Sequence, residues 1–89
     1  MKTIHKFPLA ITDQQFVQMP AGAQILDAQM QQGQLTVWAI VSPELNKVQR
    51  RFFVRGTGHP LGVEEDNVDY IATVQDGNLV WHVFVEIRG

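Results

Sequence analysis

Two segments of this chain alternate like β-strands and yet are apolar on both faces, which constrains the fold more than any other feature. Leu35–Val41 places aliphatic residues on one face and Thr36, Trp38 and Ile40 on the other. Leu79–Ile87 shows the same two-sided apolar character. A strand at a protein surface alternates apolar with polar residues, so each of these segments needs cover on both sides.

Cover for the second face has three sources: closure of the sheet into a barrel or sandwich, loops of the same chain, or another chain. Leaving an apolar patch of several hundred Å² in water is costly, at ~25 cal/mol per Å². We therefore expect a homo-oligomer that buries the second face. The alternative is that the segments Ile11–Gln18 and Leu45–Val48 fold over it.

The rest of the sequence alternates short β-forming runs with turn signals and lacks a sustained helical period. Gln32-Gly33 predicts a tight turn, and Asp76-Gly77 predicts a type I′ hairpin turn. We predict an all-β, mostly antiparallel fold: a small barrel or curved sheet of six to seven strands. It has at most one short helical turn, near Thr12–Phe16 or Glu44–Val48. The predicted strands cover residues 3–9, 16–19, 23–31, 34–41, 48–55, 69–75 and 78–87.

Composition narrows the class of protein. Eighty-nine residues, 45% of them apolar, predict a single domain over residues 1–89 with one core. The absence of cysteine excludes a disulfide framework and thiolate metal ligands. Seven basic and nine acidic residues argue against nucleic-acid binding. No run approaches the ~20 apolar residues of a membrane span and none suits a signal peptide, so we expect a cytoplasmic protein without membrane contact.

The residues that follow the strand at 48–55 form the clearest candidate binding loop. Gly56–Pro60 combines two glycines, a hydroxyl, an imidazole and a proline. One interpretation is structural: the glycines permit a sharp bend, and Pro60 favours an extended His59. The other is a nest of backbone N–H groups that binds an anion or a partner's carboxylate. The predicted binding residues are Arg55, Gly56, Thr57, Gly58, His59 and Tyr70.

A second basic feature lies on the same strand. Arg51 and Arg55 share a face with Phe53, which suits uptake of a carboxylate-bearing partner. An edge strand guarded by charged residues gives the same pattern.

No residue set predicts catalysis or metal binding. His5, His59 and His82 lack the spacing of metal ligands, and we expect a half-buried His82 with a backbone partner. The lone Ser42 lacks a glycine elbow, and the acidic run Glu64–Asp66 lacks the glycine of a calcium loop. We therefore expect a non-enzymatic protein with no cofactor and no metal.

Six sequence blocks are distinctive in their order and spacing: Lys6-Phe7-Pro8-Leu9, Ile11-Thr12-Asp13, Met19-Pro20-x-Gly22-Ala23, Val37-Trp38-Ala39, Gly56-Thr57-Gly58-His59-Pro60 and Val80-Trp81-His82-Val83-Phe84. Taken together, they resemble a family of short proteins that are encoded mostly by tailed bacteriophages and prophages. The likeness covers nearly the whole chain and implies a gene product that acts in the bacterial cytoplasm. The family carries no assigned activity, so the resemblance transfers no catalytic residue.

Three functional hypotheses follow, of which the third is a hydrolase that uses His59 with an acidic partner. The first is a small phage-type protein that acts by protein binding and self-association, with a bacterial host protein or a defence system as its target. The alternative is a domain that binds or sequesters a small anionic ligand on the Gly56–Pro60 loop.

Overall fold

The computed structural model describes residues 1–62 and 67–87. The acidic run Glu64–Asp66 lies outside these described residues. Seven β-strands form, in agreement with the predicted six to seven, and no described segment is an α-helix. The described residues also contain no helix long and apolar enough to cross a membrane. The strands are β1 (Thr3–Pro8), β2 (Gln14–Pro20), β3 (Gln24–Gln31), β4 (Gln34–Val41), β5 (Lys47–Gly56), β6 (Val68–Asp76) and β7 (Leu79–Glu86).

The strands form two antiparallel sheets, one with the order β1-β4-β3 and the other with the order β2-β5-β7-β6. The predicted all-β fold is confirmed, whereas the described strands form no closed barrel. β3 and β6 lie against each other without pairing, and each contains a bulge, at Leu26 and at Ile71. Each bulge interrupts the ladder with the neighbouring strand of its own sheet, β4 for β3 and β7 for β6.

The core lies between the two sheets and confirms the predicted faces of the central strands. Strand alternation directs one side of β4 towards one side of β5 and β7, and these inward side chains are at most 3% exposed. The side facing away from the core is called the outer face of each sheet below. The inward residues are Leu35, Val37, Ala39 and Val41 of β4, Phe52 and Val54 of β5, and Val83 and Val85 of β7.

The two hairpin turns differ in type. Gln32-Gly33 forms the predicted turn with both residues at positive φ, as type I′ requires. In the second hairpin Asp76 pairs with Leu79, so the turn residues are Gly77 and Asn78, one position later than predicted. Gly77 has φ +62°, which suits the first central position of a type II′ turn. The predicted type I′ turn at Asp76-Gly77 is therefore wrong.

β5 and β6 are parallel strands of one sheet with β7 between them. β5 therefore ends at one end of the four-stranded sheet and β6 begins at the other. Three described residues between β5 and β6 lie at the outer face of this sheet: Arg55 Nε donates a hydrogen bond to Leu61 O, and Gly62 and Asn67 line a cleft together with Phe53.

The loops proposed as cover for the second face leave their apolar side chains in solvent. Ile11 is 42% exposed and Leu45 is 47% exposed. Trp38 and Ile40 remain half-buried on the outer face of the three-stranded sheet. The two-sided apolar pattern therefore persists in the folded chain.

Candidate functional site

The outer face of the four-stranded sheet carries a row of aromatic rings. The register pairs Phe53 of β5 with Phe84 of β7, and Phe84 with Tyr70 of β6. The rings of Tyr70 and Phe84 meet edge to face, with centroids 5.8 Å apart. Tyr70 is 60% exposed, while Phe53 is only 3% exposed. The row therefore runs from a buried ring to an open one.

Two arginines cover the buried ring. The guanidinium carbons of Arg51 and Arg55 lie 5.3 Å and 5.6 Å from the centroid of Phe53. Arg51 also lies 5.7 Å from the centroid of Phe16, which is 58% exposed at the opposite margin of the sheet. These are cation–π distances. The arginine stems and heads explain why Phe53 is buried although it points away from the core.

The carboxylate that Arg51 was predicted to take from a partner comes from the chain itself. Arg51 forms an ion pair with Glu86 of β7, and both side chains are about one-third exposed. β5 lies between β2 and β7, so the interpretation of its charges as guards of an edge strand is wrong. Arg51 therefore joins two strands and two rings into one fixed arrangement.

A row of polar groups runs beside the aromatic row. His82 Nε2 lies 2.8 Å from Thr57 Oγ1, and His82 Nδ1 lies 3.0 Å from Thr73 Oγ1. Thr73 Oγ1 in turn lies 2.7 Å from the hydroxyl oxygen of Tyr70. His82 is half-buried as predicted, but these side-chain hydroxyls stand where a backbone partner was expected. Because a hydroxyl both donates and accepts, the chain from Thr57 to Tyr70 is satisfiable and holds Tyr70 in place.

Arg55 binds the main chain. Its Nη1 donates to Asp13 O at 2.6 Å and to Val54 O at 3.1 Å, and its Nε donates to Leu61 O at 2.8 Å. Three carbonyl oxygens thus hold a guanidinium that was predicted to flank an anion site. Arg55 fastens the β5–β6 connection and the residue before β2 to the outer face.

His59 lies apart from this surface. A Cβ atom placed on Gly56 would come within 2.9 Å of His59 Cε1 and 3.4 Å of Trp81 Cζ3, so the imidazole lies on the Trp81 side of β5. His59 N also donates to Gly56 O at 3.0 Å, which closes a tight turn. Gly56 is therefore required for close packing of the imidazole, which is the structural interpretation of this loop. Gly58, with φ +89°, has open space around its Cα.

Of the predicted binding residues, Arg55, Thr57 and Tyr70 share one face, whereas His59 does not. Sequence reasoning missed Thr73 and Phe84, which complete that face. Their only signal is the pairing register, and register is not readable before the order of the strands is known. Among the residues that the structure describes, no three His, Asp or Glu side chains are grouped as metal ligands.

The comparisons with known proteins assign a family. The family model of a domain of unknown function, DUF7352, matches residues 1–89, so the chain belongs to this family. Neither the curated proteins nor the solved structures give a match. The family description names no ligand and no partner, so a function has to be argued from the geometry of the site.

Proposed function

We propose that this chain is a non-enzymatic protein-binding domain and that the outer face of the four-stranded sheet is its contact surface. The supporting observation is a continuous set of aromatic and arginine side chains with Phe16 and Tyr70 more than half exposed at its two margins. Aromatic residues and arginine are enriched in protein interfaces and contribute most of the binding energy there.

Contacts within the chain already order the side chains of the proposed contact surface. The hydroxyl of Tyr70 is hydrogen-bonded to Thr73, and Arg51 is paired with Glu86 and stacked on two rings. Ordering a flexible side chain at an interface costs about 0.5–1.5 kcal/mol. Because these side chains are already ordered, a partner binds them with a smaller entropic loss.

The same contacts favour a protein over a small anion as the ligand. The guanidinium of Arg55 is bonded to main-chain carbonyls, and that of Arg51 is paired with the carboxylate of Glu86. An anionic ligand on the Gly56–Pro60 loop would have to displace these contacts. A partner that packs on exposed rings leaves them intact.

The biological context in this proposal comes from the resemblance to phage and prophage proteins. We propose that the partner is a bacterial host protein in the cytoplasm, bound to antagonise a host factor or a defence system. We further propose that the chain self-associates through its second apolar face, the outer face of the three-stranded sheet.

Site-specific photo-crosslinking tests the contact surface. A photoreactive phenylalanine analogue at position 16 or 70 samples the two margins of the proposed surface, and one at Gln29 samples the opposite outer face as a matched control. In a lysate of the bacterium that carries the gene, we expect the same heterologous adduct from positions 16 and 70. An equal adduct from position 29, or none from 16 and 70, contradicts the proposal.

Truncation of one exposed ring gives the corresponding energetic test. Tyr70→Ala is expected to weaken partner binding about thirtyfold, the loss of a ~2 kcal/mol hot spot. Gln29→Ala is the control and is expected to leave binding unchanged. Equal effects of both substitutions contradict the assignment of the surface.

A further inference from the structure

We infer that two copies of this chain pair through the outer face of the three-stranded sheet, about a two-fold axis that runs along β4. This inference rests on the self-association included in the proposed function, and it specifies the face, the symmetry and the residues that meet.

The inference starts from one row of three side chains across the sheet. The register pairs Lys6 of β1 with Trp38 of β4, and Trp38 with Asp27 of β3. Lys6 and Asp27 therefore occupy the two strands that flank the indole. Within one copy, Lys6 Nζ donates to Gln31 Oε1 at 3.0 Å and Asp27 Oδ2 accepts from Gln29 Nε2 at 3.1 Å, so an ion pair with a second copy replaces these two exposed hydrogen bonds. Lys6 and Asp27 are exposed, and Trp38 is half-buried.

This charge pattern selects one symmetry. A two-fold axis along β4 places β1 of one copy over β3 of the other, so Lys6 of each copy faces Asp27 of the second copy, and Trp38 faces its own counterpart. An axis across the strands instead brings Lys6 towards Lys6 and Asp27 towards Asp27. A two-fold interface must be self-complementary, and only the first arrangement satisfies this requirement for the row.

The neighbouring row supplies apolar contact. Ile40 lies beside Ile4 and Gln24 in the register, on the same outer face as Trp38. Ile4 is 58% exposed, which is unusual for a large aliphatic residue within a strand. Along the same axis Ile40 packs on Ile40 of the second copy, so the indoles and isoleucines form the centre and the charged pairs form the rim.

Chain connections explain why this face, and not the other outer face, suits a flat sheet-on-sheet contact. The three-stranded sheet is connected through residues 9–13, 21–23, 32–33 and 42–46, which are links of two to five residues between strand ends. The other outer face carries Leu61, Gly62 and Asn67 from between β5 and β6. Sheets pack face to face at about 10 Å, which leaves no room for an intervening segment.

The size of the face predicts the strength of the association. Three strands of up to eight residues present roughly 14 by 27 Å, or about 400 Å² for each copy. A standard interface buries about 800 Å² for each partner. We therefore expect a weak, reversible dimer that is populated at high protein concentration.

Charge reversal followed by mixing tests the pairing. In a dimer of Lys6→Glu, the introduced glutamate of each copy faces Asp27 of the other copy, which gives two acidic pairs. In a dimer of Asp27→Lys, the introduced lysine of each copy faces Lys6 of the other copy, which gives two basic pairs. By sedimentation velocity from about 10 μM to about 1 mM, each variant alone is expected to dimerise at least tenfold more weakly than the unmodified chain. An equimolar mixture is expected to recover the dimer, because the introduced glutamate then faces the introduced lysine, and the native Asp27 faces the native Lys6.

A second variant protects the test against misfolding. Asp27 Oδ1 accepts a hydrogen bond from Ala28 N at 2.8 Å beside the bulge, and lysine at this position loses that bond. Asp27→Asn keeps the acceptor, so adding it to Lys6→Glu should remove the repulsion and restore dimerisation. An unmodified chain that stays monomeric at about 1 mM, or a mixture or double variant without recovery, overturns the inference.

The proposed partner-binding surface and the proposed dimer interface can be tested independently of each other. Phe16→Ala and Tyr70→Ala lie on the opposite outer face and are expected to leave the dimer unchanged while they weaken partner binding. Loss of the dimer in either variant would contradict the assignment of the two faces.

Discussion

The two outer faces of this sandwich begin from the same sequence pattern and reach different structures. Both present apolar residues on the side of a sheet that faces away from the core. On the four-stranded sheet Phe53 is 3% exposed, and the guanidinium groups of Arg51 and Arg55 lie over its ring. On the three-stranded sheet Ile4 is 58% exposed and Trp38 is half-buried. An apolar pattern on both faces of a strand therefore predicts that both faces are buried, but it does not predict which residues bury the second face.

The difference follows from the connections. β5 and β6 are parallel, and the described residues Leu61 and Gly62 that follow β5 lie at the outer face of the four-stranded sheet. The three-stranded sheet is served by short links at its strand ends. The first face thus receives cover from its own chain and is left with exposed margins, whereas the second leaves Ile4 exposed and Trp38 and Ile40 half-buried.

The covered ring on the four-stranded sheet gives the largest expected effect. Phe53→Ala removes a buried ring and is expected to lower the free energy of unfolding by about 3 kcal/mol, although Phe53 lies outside the core. Phe16→Ala on the same face is the control and should cost less than about 1 kcal/mol. Urea denaturation measures both. Equal small losses would show that Phe53 is not covered.

The hydrogen bonds that Arg55 donates to main-chain carbonyls give the next largest expected effect on the free energy of unfolding. Arg55→Met loses hydrogen bonds to Asp13 O, Val54 O and Leu61 O and is expected to cost about 2 kcal/mol. Arg55→Lys keeps the charge but not the planar fork, so it should cost nearly as much. Full stability in the lysine variant would mean that charge alone matters and that the connection is not fastened by these bonds.

The turn after β5 contains two glycines that are required for different reasons, Gly56 for close packing and Gly58 for its backbone conformation. Gly56→Ala places a methyl group against the imidazole of His59 and is expected to cost about 1 kcal/mol, and adding His59→Ala should relieve this cost. Gly58→Ala should cost about as much through its positive φ, and His59→Ala should not relieve it. Thermal unfolding of these single and double variants measures the coupling. If His59→Ala relieved the cost of Gly58→Ala as much as that of Gly56→Ala, the packing explanation for Gly56 would be contradicted.

The open face gives the smallest effect on the stability of one copy. Trp38→Gln is expected to lower the free energy of unfolding by about 1 kcal/mol or less, since the indole is half-buried. The same substitution should abolish self-association, which concentration-dependent light scattering would measure. A large loss of stability with an unchanged dimer would mean that Trp38 serves its own fold only.

Much of the fold was predictable from periodicity. The faces of β4, β5 and β7 are those that alternation predicts, because the side-chain period of a strand is fixed. The prediction of a small barrel or curved sheet is confirmed only in part, as seven antiparallel strands in two sheets without a closed barrel among the described strands. The predicted position of the second hairpin turn was wrong. Sheet closure and turn offset depend on tertiary contacts. At the site, Arg55, Thr57 and Tyr70 were predictable as neighbours. The hydroxyl partners of His82 and the internal carboxylate Glu86 were not, because they come from strands whose order the sequence does not reveal.

The assignment of different partners to the two faces is tested most directly by a dilution series followed by residue-resolved NMR. The two tryptophans provide an internal control, because Trp38 lies on the open outer face while Trp81 points inward beside Gly56. On dilution we expect the indole N–H signal of Trp38 and the amides of Ile4, Asp27 and Ile40 to shift together, while those of Trp81 and Tyr70 stay fixed. Shifts concentrated at Phe16 and Tyr70, or no shift at any concentration, would contradict the account.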